Sequence, residues 1–315
     1  MNNKKIQMRD FFINKVSKSI KKNKKIIFLS NDQGAKSLDN FRVKYNSNYI
    51  NVGISEQNII SLSAGLASRG YKVFVYSIAS FITLRCLEQI KIDLNIMKLP
   101  VTILGVGASC SYDTAGPTHH LIEDIAILRT MPNVNIYSPS DNNVLEKIFQ
   151  KCAVSKKPSY VRLDRENLNN LGKCSQKDSM VGFRVFGDKG KVCIVSTGIT
   201  SHIANEVRIY FINLNIEILI VDIFDISNFN KKIFQNKLNH SDIIISLEEN
   251  FVNGGLGTII SEFFTDENIK KKLVRRGLKS KNLYNYNSRS IIQKKNNIDK
   301  LSIIKLIKKI YAKRF

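Results

Sequence analysis

The sequence predicts an α/β protein of two domains, each built on a mainly parallel sheet. Three observations predict it. Short apolar runs of strand length alternate with amphipathic segments of helix length from end to end. Polar and glycine-containing turns stand at the ends of the strand runs, where open parallel sheets carry their ligands. Periodicity lapses over residues 166–190, where Asn, Gly, Lys and Ser accumulate, and a second alternation follows. The expected layout is a first domain over 1–170, a linker over 171–190 and a second domain over 191–315. A chain of 315 residues with 43% hydrophobic content is large enough for two cores.

Strands are expected at 25–29, 49–52, 72–76, 101–106, 134–137 and 160–163, with helices over 55–69, 81–97, 121–130 and 141–154. In the second unit, strands are expected at 192–195, 217–221 and 243–247, with a helix over 201–214. Gly254-Gly255-Leu256-Gly257 opens a further helix. Glycine-rich helix openings bind phosphate in some folds, but close packing or a tight turn is the expected use here.

Composition narrows the function classes. No apolar run approaches the roughly 20 residues of a membrane helix. The basic N-terminus holds no apolar run long enough for a signal-peptide core, so a cytoplasmic protein is expected. Cys86, Cys110, Cys152, Cys174 and Cys193 are scattered, with no Cys-x-x-Cys pair or zinc spacing, as in a reducing compartment. Cys110 lies in a candidate site loop and is expected to be a small buried bystander. The net charge of +23 comes from 49 Lys+Arg against 26 Asp+Glu. That balance raises a nucleic-acid or anionic-surface binder as a rival class. The basic clusters at 21–25, 270–276 and 308–314 are not interleaved with stacking aromatics. Nucleic acid is therefore not the expected partner, although an acidic partner protein also fits the charge.

The most informative local feature is Gly53-Ile54-Ser55-Glu56-Gln57-Asn58, which follows the extended run Tyr49-Ile50-Asn51-Val52. Ser55 is placed to cap the next helix, its hydroxyl accepting an orphan N–H of the first turn. Glu56 then stands at a strand-to-helix junction. Taken alone, it is an ordinary acidic residue favoured by the helix dipole.

Two further segments change that reading. Gly116-Pro117-Thr118-His119-His120 lies downstream, and Pro158-Ser159-Tyr160-Val161-Arg162-Leu163-Asp164-Arg165 follows a further strand and helix. In this order the three segments resemble the second half of a transketolase, from about residue 24 to about residue 310. That half comprises a thiamine-diphosphate-binding pyrimidine domain followed by the transketolase C-terminal domain.

The resemblance implies site roles. The glutamate at the Glu56 position hydrogen-bonds the cofactor aminopyrimidine and favours the tautomer that activates thiazolium C2. To donate, the carboxyl must carry a proton, which burial favours and a helix N-terminus opposes. His119 matches the histidine of Gly-Pro-Thr-His that faces the reacting carbonyl, a typical proton-transfer group. His120 has no counterpart and is expected to be structural. Arg165, in Asp164-Arg165-Glu166-Asn167, matches an arginine that grips a sugar phosphate, with Arg162 as a competitor. Asp32, in Ser30-Asn31-Asp32, resembles a turn near the cofactor, and a plain turn aspartate is its alternative.

Departures bear on the substrate. Thr114-Ala115-Gly116 stands where the family has an aspartate that contacts a donor hydroxyl, so Asp113 is the candidate replacement. An upstream family histidine falls near Gly107. The rings that stack on the pyrimidine align near Ala79 and Ile82; Ile82 is expected to contact the cofactor, and Phe81 between them is the candidate shifted ring, worth on the order of 1 kcal/mol as an aromatic contact.

No Gly-Asp-Gly pattern for magnesium and diphosphate is present. The resemblance therefore implies the C-terminal subunit of a split, thiamine-diphosphate-dependent transketolase. It would transfer a two-carbon ketol unit between sugars or sugar phosphates. Mg2+ ligands are expected on an N-terminal partner subunit, and the expected assembly is α2β2. The alternatives are a deoxyxylulose-phosphate-synthase-like enzyme, a 2-oxoacid dehydrogenase β-type subunit, a basic binding module and an inactive partner subunit.

Overall fold

The structure is a computed structural model that describes residues 6–279 and 286–312. Lys313 and Arg314 of the basic tail lie outside the described residues. Two sheets run in sequence. The first is built from β1 (Ile26–Ser30), β2 (Tyr49–Asn51), β3 (Lys72–Ile78), β4 (Val101–Val106), β5 (Asn135–Tyr137) and β6 (Ser159–Leu163). Its order is β2-β1-β3-β4-β6-β5, and every pairing is parallel. Strands β1, β4 and β6 are buried along their whole length, as strands covered by helices on both faces must be.

The covering helices are α1 (Met8–Ile20), α2 (Lys36–Lys44), α3 (Glu56–Ser68), α4 (Ala79–Thr83), α5 (Leu87–Gln89), α6 (Asp124–Leu128) and α7 (Asn142–Val154). Asp141 caps α7 by accepting the Val144 N–H at 2.9 Å. Ser55 does not cap α3 as expected. Its hydroxyl instead donates to the Val52 carbonyl at 2.8 Å, closing the turn before the helix.

The helix expected over 81–97 is broken. Helix α4 stops at Thr83, a turn covers 84–86, and α5 runs on as a π-helix over Ile90–Ile96. Thr83 Oγ1 bonds the Ala79 carbonyl at 2.6 Å, a back-bond that bends helices. The break throws Arg85 sideways toward α3. The helix expected over 121–130 is also shorter. Asp124 Oδ1 accepts the N–H of Ile125 at 2.9 Å and Glu123 accepts that of Ile122 at 3.0 Å, which delays the start.

The segment expected as the linker leading into the second domain carries structure of its own. It holds α8 (Gln176–Val181), closed by a Ser175–Asp178 capping box, and β7 (Phe183–Phe186). Strand β7 pairs antiparallel with a later strand because Gly182, at φ +84°, reverses the chain immediately before it.

The second sheet adds β8 (Val192–Ser196), α9 (Thr200–Ile212), β9 (Ile218–Ile223), α10 (Lys231–Lys237), β10 (Ile243–Phe251), α11 (Leu256–Asp266), β11 (Lys272–Leu278), α12 (Arg289–Lys295) and α13 (Lys300–Ala312). Its order is β11-β10-β8-β9-β7, parallel except at β7. The 254–257 glycines serve packing, as expected. A Cβ on Gly255 would lie 2.0 Å from Glu248 Oε2, and one on Gly254 2.5 Å from Ala126 Cβ. Ala126 belongs to the first unit, so Gly254 lets the two units touch. No described helix is long and apolar enough to cross a membrane.

Candidate active site

The first sheet gathers the candidate residues at its carboxyl-terminal edge. Gly53, at φ +70°, turns the chain out of β2 and into α3, and its N–H donates to Asn51 Oδ1. Glu56 is the first residue of α3 and is 3% exposed. Its Oε2 lies 2.6 Å from Nη1 of Arg85. The same guanidinium lies 4.8 Å from the Phe81 ring centroid. One planar cation therefore joins the carboxylate and the ring.

Phe81 leads on to the loop after β4. Its ring meets His119 edge-on at 5.1 Å, and His119 meets Tyr112 at 5.7 Å. The Arg165 guanidinium lies over Tyr112 at 4.3 Å. The continuous row Arg85–Phe81–His119–Tyr112–Arg165 thus joins three segments that lie apart in sequence. His119 is half-buried, and its Nδ1 is 3.0 Å from Thr118 Oγ1, which orients the ring. Burial pushes the Tyr112 phenol up, with Arg165 opposing that shift.

Gly107, at φ +95°, makes room for this row. A Cβ there would lie 2.1 Å from the Tyr112 ring. Tyr112 thus fills the space beside the glycine that stands where the resemblance expects a histidine.

Other candidates fall differently. Ile82 is 0% exposed and belongs to the apolar core with Ile59, Ile60 and Ala79. It cannot meet a cofactor as expected, because α4 turns it toward the sheet. Asp113 uses both carboxylate oxygens on backbone N–H groups, of Thr114 at 2.7 Å and Arg289 at 3.1 Å. It ties the loop to α12. Asp32 has φ +53° and exchanges hydrogen bonds with the Asn51 side chain, a turn role at the edge of the Glu56 junction.

Arg162 is no rival to Arg165. It is 4% exposed and bonds Asp124 at 2.7 Å, Ser138 at 2.9 Å and Ser109 at 3.1 Å. Arg165 is exposed and open to an anion. Cys110 is buried, with a thiol pushed well up by burial, as expected of a bystander. Burial keeps the His120 pKa below the usual imidazole range, and its Nε2 has no partner among the described residues.

The loop is held from the second unit by residues that the sequence did not single out. Arg289 is buried and bonds Asp164 at 2.7 and 3.1 Å, Glu166 at 2.9 Å and Glu249 at 2.7–3.0 Å. Glu249 also accepts the Cys110 N–H at 3.3 Å. Asn250 bonds both Asp124 and Arg162. These contacts bridge 40 to 139 residues of sequence, so no local pattern announces them.

Residues 4–170 match the family described as transketolase, pyrimidine binding domain, and residues 184–294 match that described as transketolase, C-terminal domain. The chain belongs to the transketolase family. Among curated relatives it is similar to an apulose-4-phosphate transketolase subunit of Phocaeicola vulgatus. The two are 29% identical over 293 residues, spanning 92% of this chain and 93% of the relative. It is 27% identical to a putative transketolase C-terminal section of Methanocaldococcus jannaschii, spanning 82% of each. Among solved structures it superposes on a split-gene transketolase described as an inactive β4 tetramer. The TM-score is 0.84 at 25% identity, covering 96% of this chain and 98% of that one.

Family membership implies thiamine diphosphate, and the Glu56 region suits its pyrimidine half. An aminopyrimidine needs a carboxyl group for its ring nitrogen and an aromatic face. Glu56 and Phe81 offer that pair, and the Arg85 guanidinium engages both of them. For the metal, no group of three or more His, Cys, Asp or Glu side chains is placed to hold an ion among the described residues.

Proposed function

We propose that this chain is the C-terminal subunit of a split transketolase that moves a two-carbon ketol unit between sugars or sugar phosphates. The single observation that carries the reading is the meeting of Glu56, Phe81 and His119 at one sheet edge, in a chain of this family. In this reading an N-terminal transketolase subunit supplies the diphosphate-binding domain and the Mg2+ ligands. The assembly is α2β2. Exposed Ile54 and Leu84, beside Glu56 and Arg85, support a protein partner over this edge. Free, scattered cysteines support a reducing, cytoplasmic setting.

When bound, thiamine diphosphate supplies the electron sink for cleaving the ketose carbon–carbon bond. Glu56 holds the pyrimidine ring nitrogen, and Phe81 packs on the ring face. His119 is placed to move a proton at the substrate hydroxyl or carbonyl. Arg165, exposed at the far end of the aromatic row, takes the sugar phosphate. Asp113 and Asp32 hold their loops, and Ile82 supports Phe81 from the core.

The test is C2 proton exchange of thiamine diphosphate with Mg2+, measured on this chain with and without the diphosphate-domain subunit. Fast exchange only with both chains, and its loss in Glu56→Gln, is the expected result. An assembled complex with no acceleration would refute the assignment of Glu56.

A further inference from the structure

We infer that Arg85 is a positioning residue which holds the pyrimidine seat in shape and competes with the cofactor for it. The inference rests on the reading of Glu56 above. Glu56 is a buried carboxylate, 2% exposed at its side chain, and its ion-pair partner is Arg85 at 2.6 Å. A buried charge without a partner is strongly disfavoured, so Glu56 needs a donor whenever it is ionised. The Arg85 guanidinium meets that need and lies against the face of Phe81. Both groups assigned to the pyrimidine are therefore already engaged by one side chain.

The same geometry makes Arg85 displaceable. Its side chain is 48% exposed, so the guanidinium exchanges its contacts for water when it turns outward. It stands in the turn over 84–86 where α4 ends, outside the regular helix. Its own carbonyl accepts Gln57 Nε2 at 3.2 Å, which fixes the backbone to α3 while the side chain stays free to turn. As the guanidinium turns away, Glu56 takes up a proton and donates to the ring nitrogen of the arriving aminopyrimidine, so no bare buried charge is left. The seat is thus kept open and correctly spaced before the cofactor arrives, and the cofactor must displace an internal ligand to enter.

The test is calorimetric binding of thiamine diphosphate with Mg2+ to the complex of this chain and the diphosphate-domain subunit, a readout independent of turnover. Arg85→Ala is expected to bind the cofactor about fivefold more tightly, the scale of a half-exposed ion pair. Arg85→Lys, which keeps the charge but not the planar fork, is expected to fall between. In a Glu56→Gln background the gain from Arg85→Ala is expected to drop below about twofold, because the pair is already broken. Arg85→Gln serves as a second variant if Arg85→Ala does not fold. Affinity unchanged or weakened in a folded Arg85 variant, with Glu56-dependent binding in the wild type, would overturn the Arg85 inference alone. A wild-type complex that binds no thiamine diphosphate would overturn the functional reading and this inference with it.

Discussion

Glu56 and Glu248 are both buried glutamates set against the start of a helix, one in each half of the molecule, and they are finished in opposite ways. Glu248 is 0% exposed and is closed by its own chain. Its oxygens accept the N–H groups of Leu256 at 2.7 Å and Gly257 at 2.8 Å, and Gly255 lacks a side chain because there is no room for one. Burial holds its pKa up at about 7. Glu56 is satisfied by a side chain that is half in water. A carboxylate saturated by backbone can only hold a fold together. One satisfied by a removable side chain is available to a ligand. The same split runs through the arginines. Arg289 and Arg162 are sealed among carboxylates, whereas Arg85 and Arg165 lie on aromatic rings at the surface.

If that contrast is functional, breaking the open glutamate must act on chemistry and breaking the closed network must act on stability. The largest effect is expected for Glu56→Gln. Turnover of the assembled enzyme should fall by about a hundred- to ten-thousandfold, while the melting temperature moves by only about a few degrees. Steady-state kinetics and a thermal melt decide it, and activity within tenfold of wild type would end the distinction.

Arg289→Ala should do the reverse in kind. It leaves Asp164 and Glu249 buried without their cation, so unfolding free energy should drop by about 3–5 kcal/mol in a denaturant titration. A change below about 1 kcal/mol would mean that water replaces the guanidinium and that the network is not sealed.

Arg165→Ala tests the open end of the row. The KM for a phosphorylated donor should rise roughly tenfold to a hundredfold, with little change for the unphosphorylated sugar. Equal loss for both would make Arg165 a support for Tyr112 instead of an anion site.

The smallest effect is a pH trend. The folded-state pKa of Glu248, about 7, lies above its ordinary value of 4.5. Its contribution to stability is therefore complete below about pH 4.5 and is lost as pH rises toward 7. Glu248→Gln lacks this titration. Its melting temperature relative to wild type should climb between pH 5 and pH 8, and a flat difference would show that Glu248 does not titrate in that range.

Much of this site was legible in the sequence because its parts are local. The Gly53 turn, the Ser-Glu-Gln-Asn run and the Gly-Pro-Thr-His loop each sit at a strand end that hydrophobic alternation marks. The roles expected of Glu56, Phe81, His119 and Arg165 come from the family resemblance that these segments carry, and the structure brings the four residues to one edge. Ile82 was misassigned because helical phase decides which of two adjacent residues faces the core, and the break after Thr83 was not visible in the pattern. Ser55 was misassigned because a hydroxyl chooses between a helix N–H and a turn carbonyl by local geometry. The 171–190 segment hid strand β7, since a four-residue edge strand leaves too short a period to stand out from loop composition.

By itself, then, the amino-acid order determined the α/β class, the places where strands end and the residue types set there. Those depend on neighbours a few positions apart, which periodicity and turn chemistry report directly. Tertiary structure alone decided the partners: Arg85 on Glu56, Tyr112 in the space beside Gly107, and Arg289 and Glu249 beneath the loop. These pairs are separated by up to 176 residues, and they are selected by burial and charge balance in the folded chain, which no local pattern encodes.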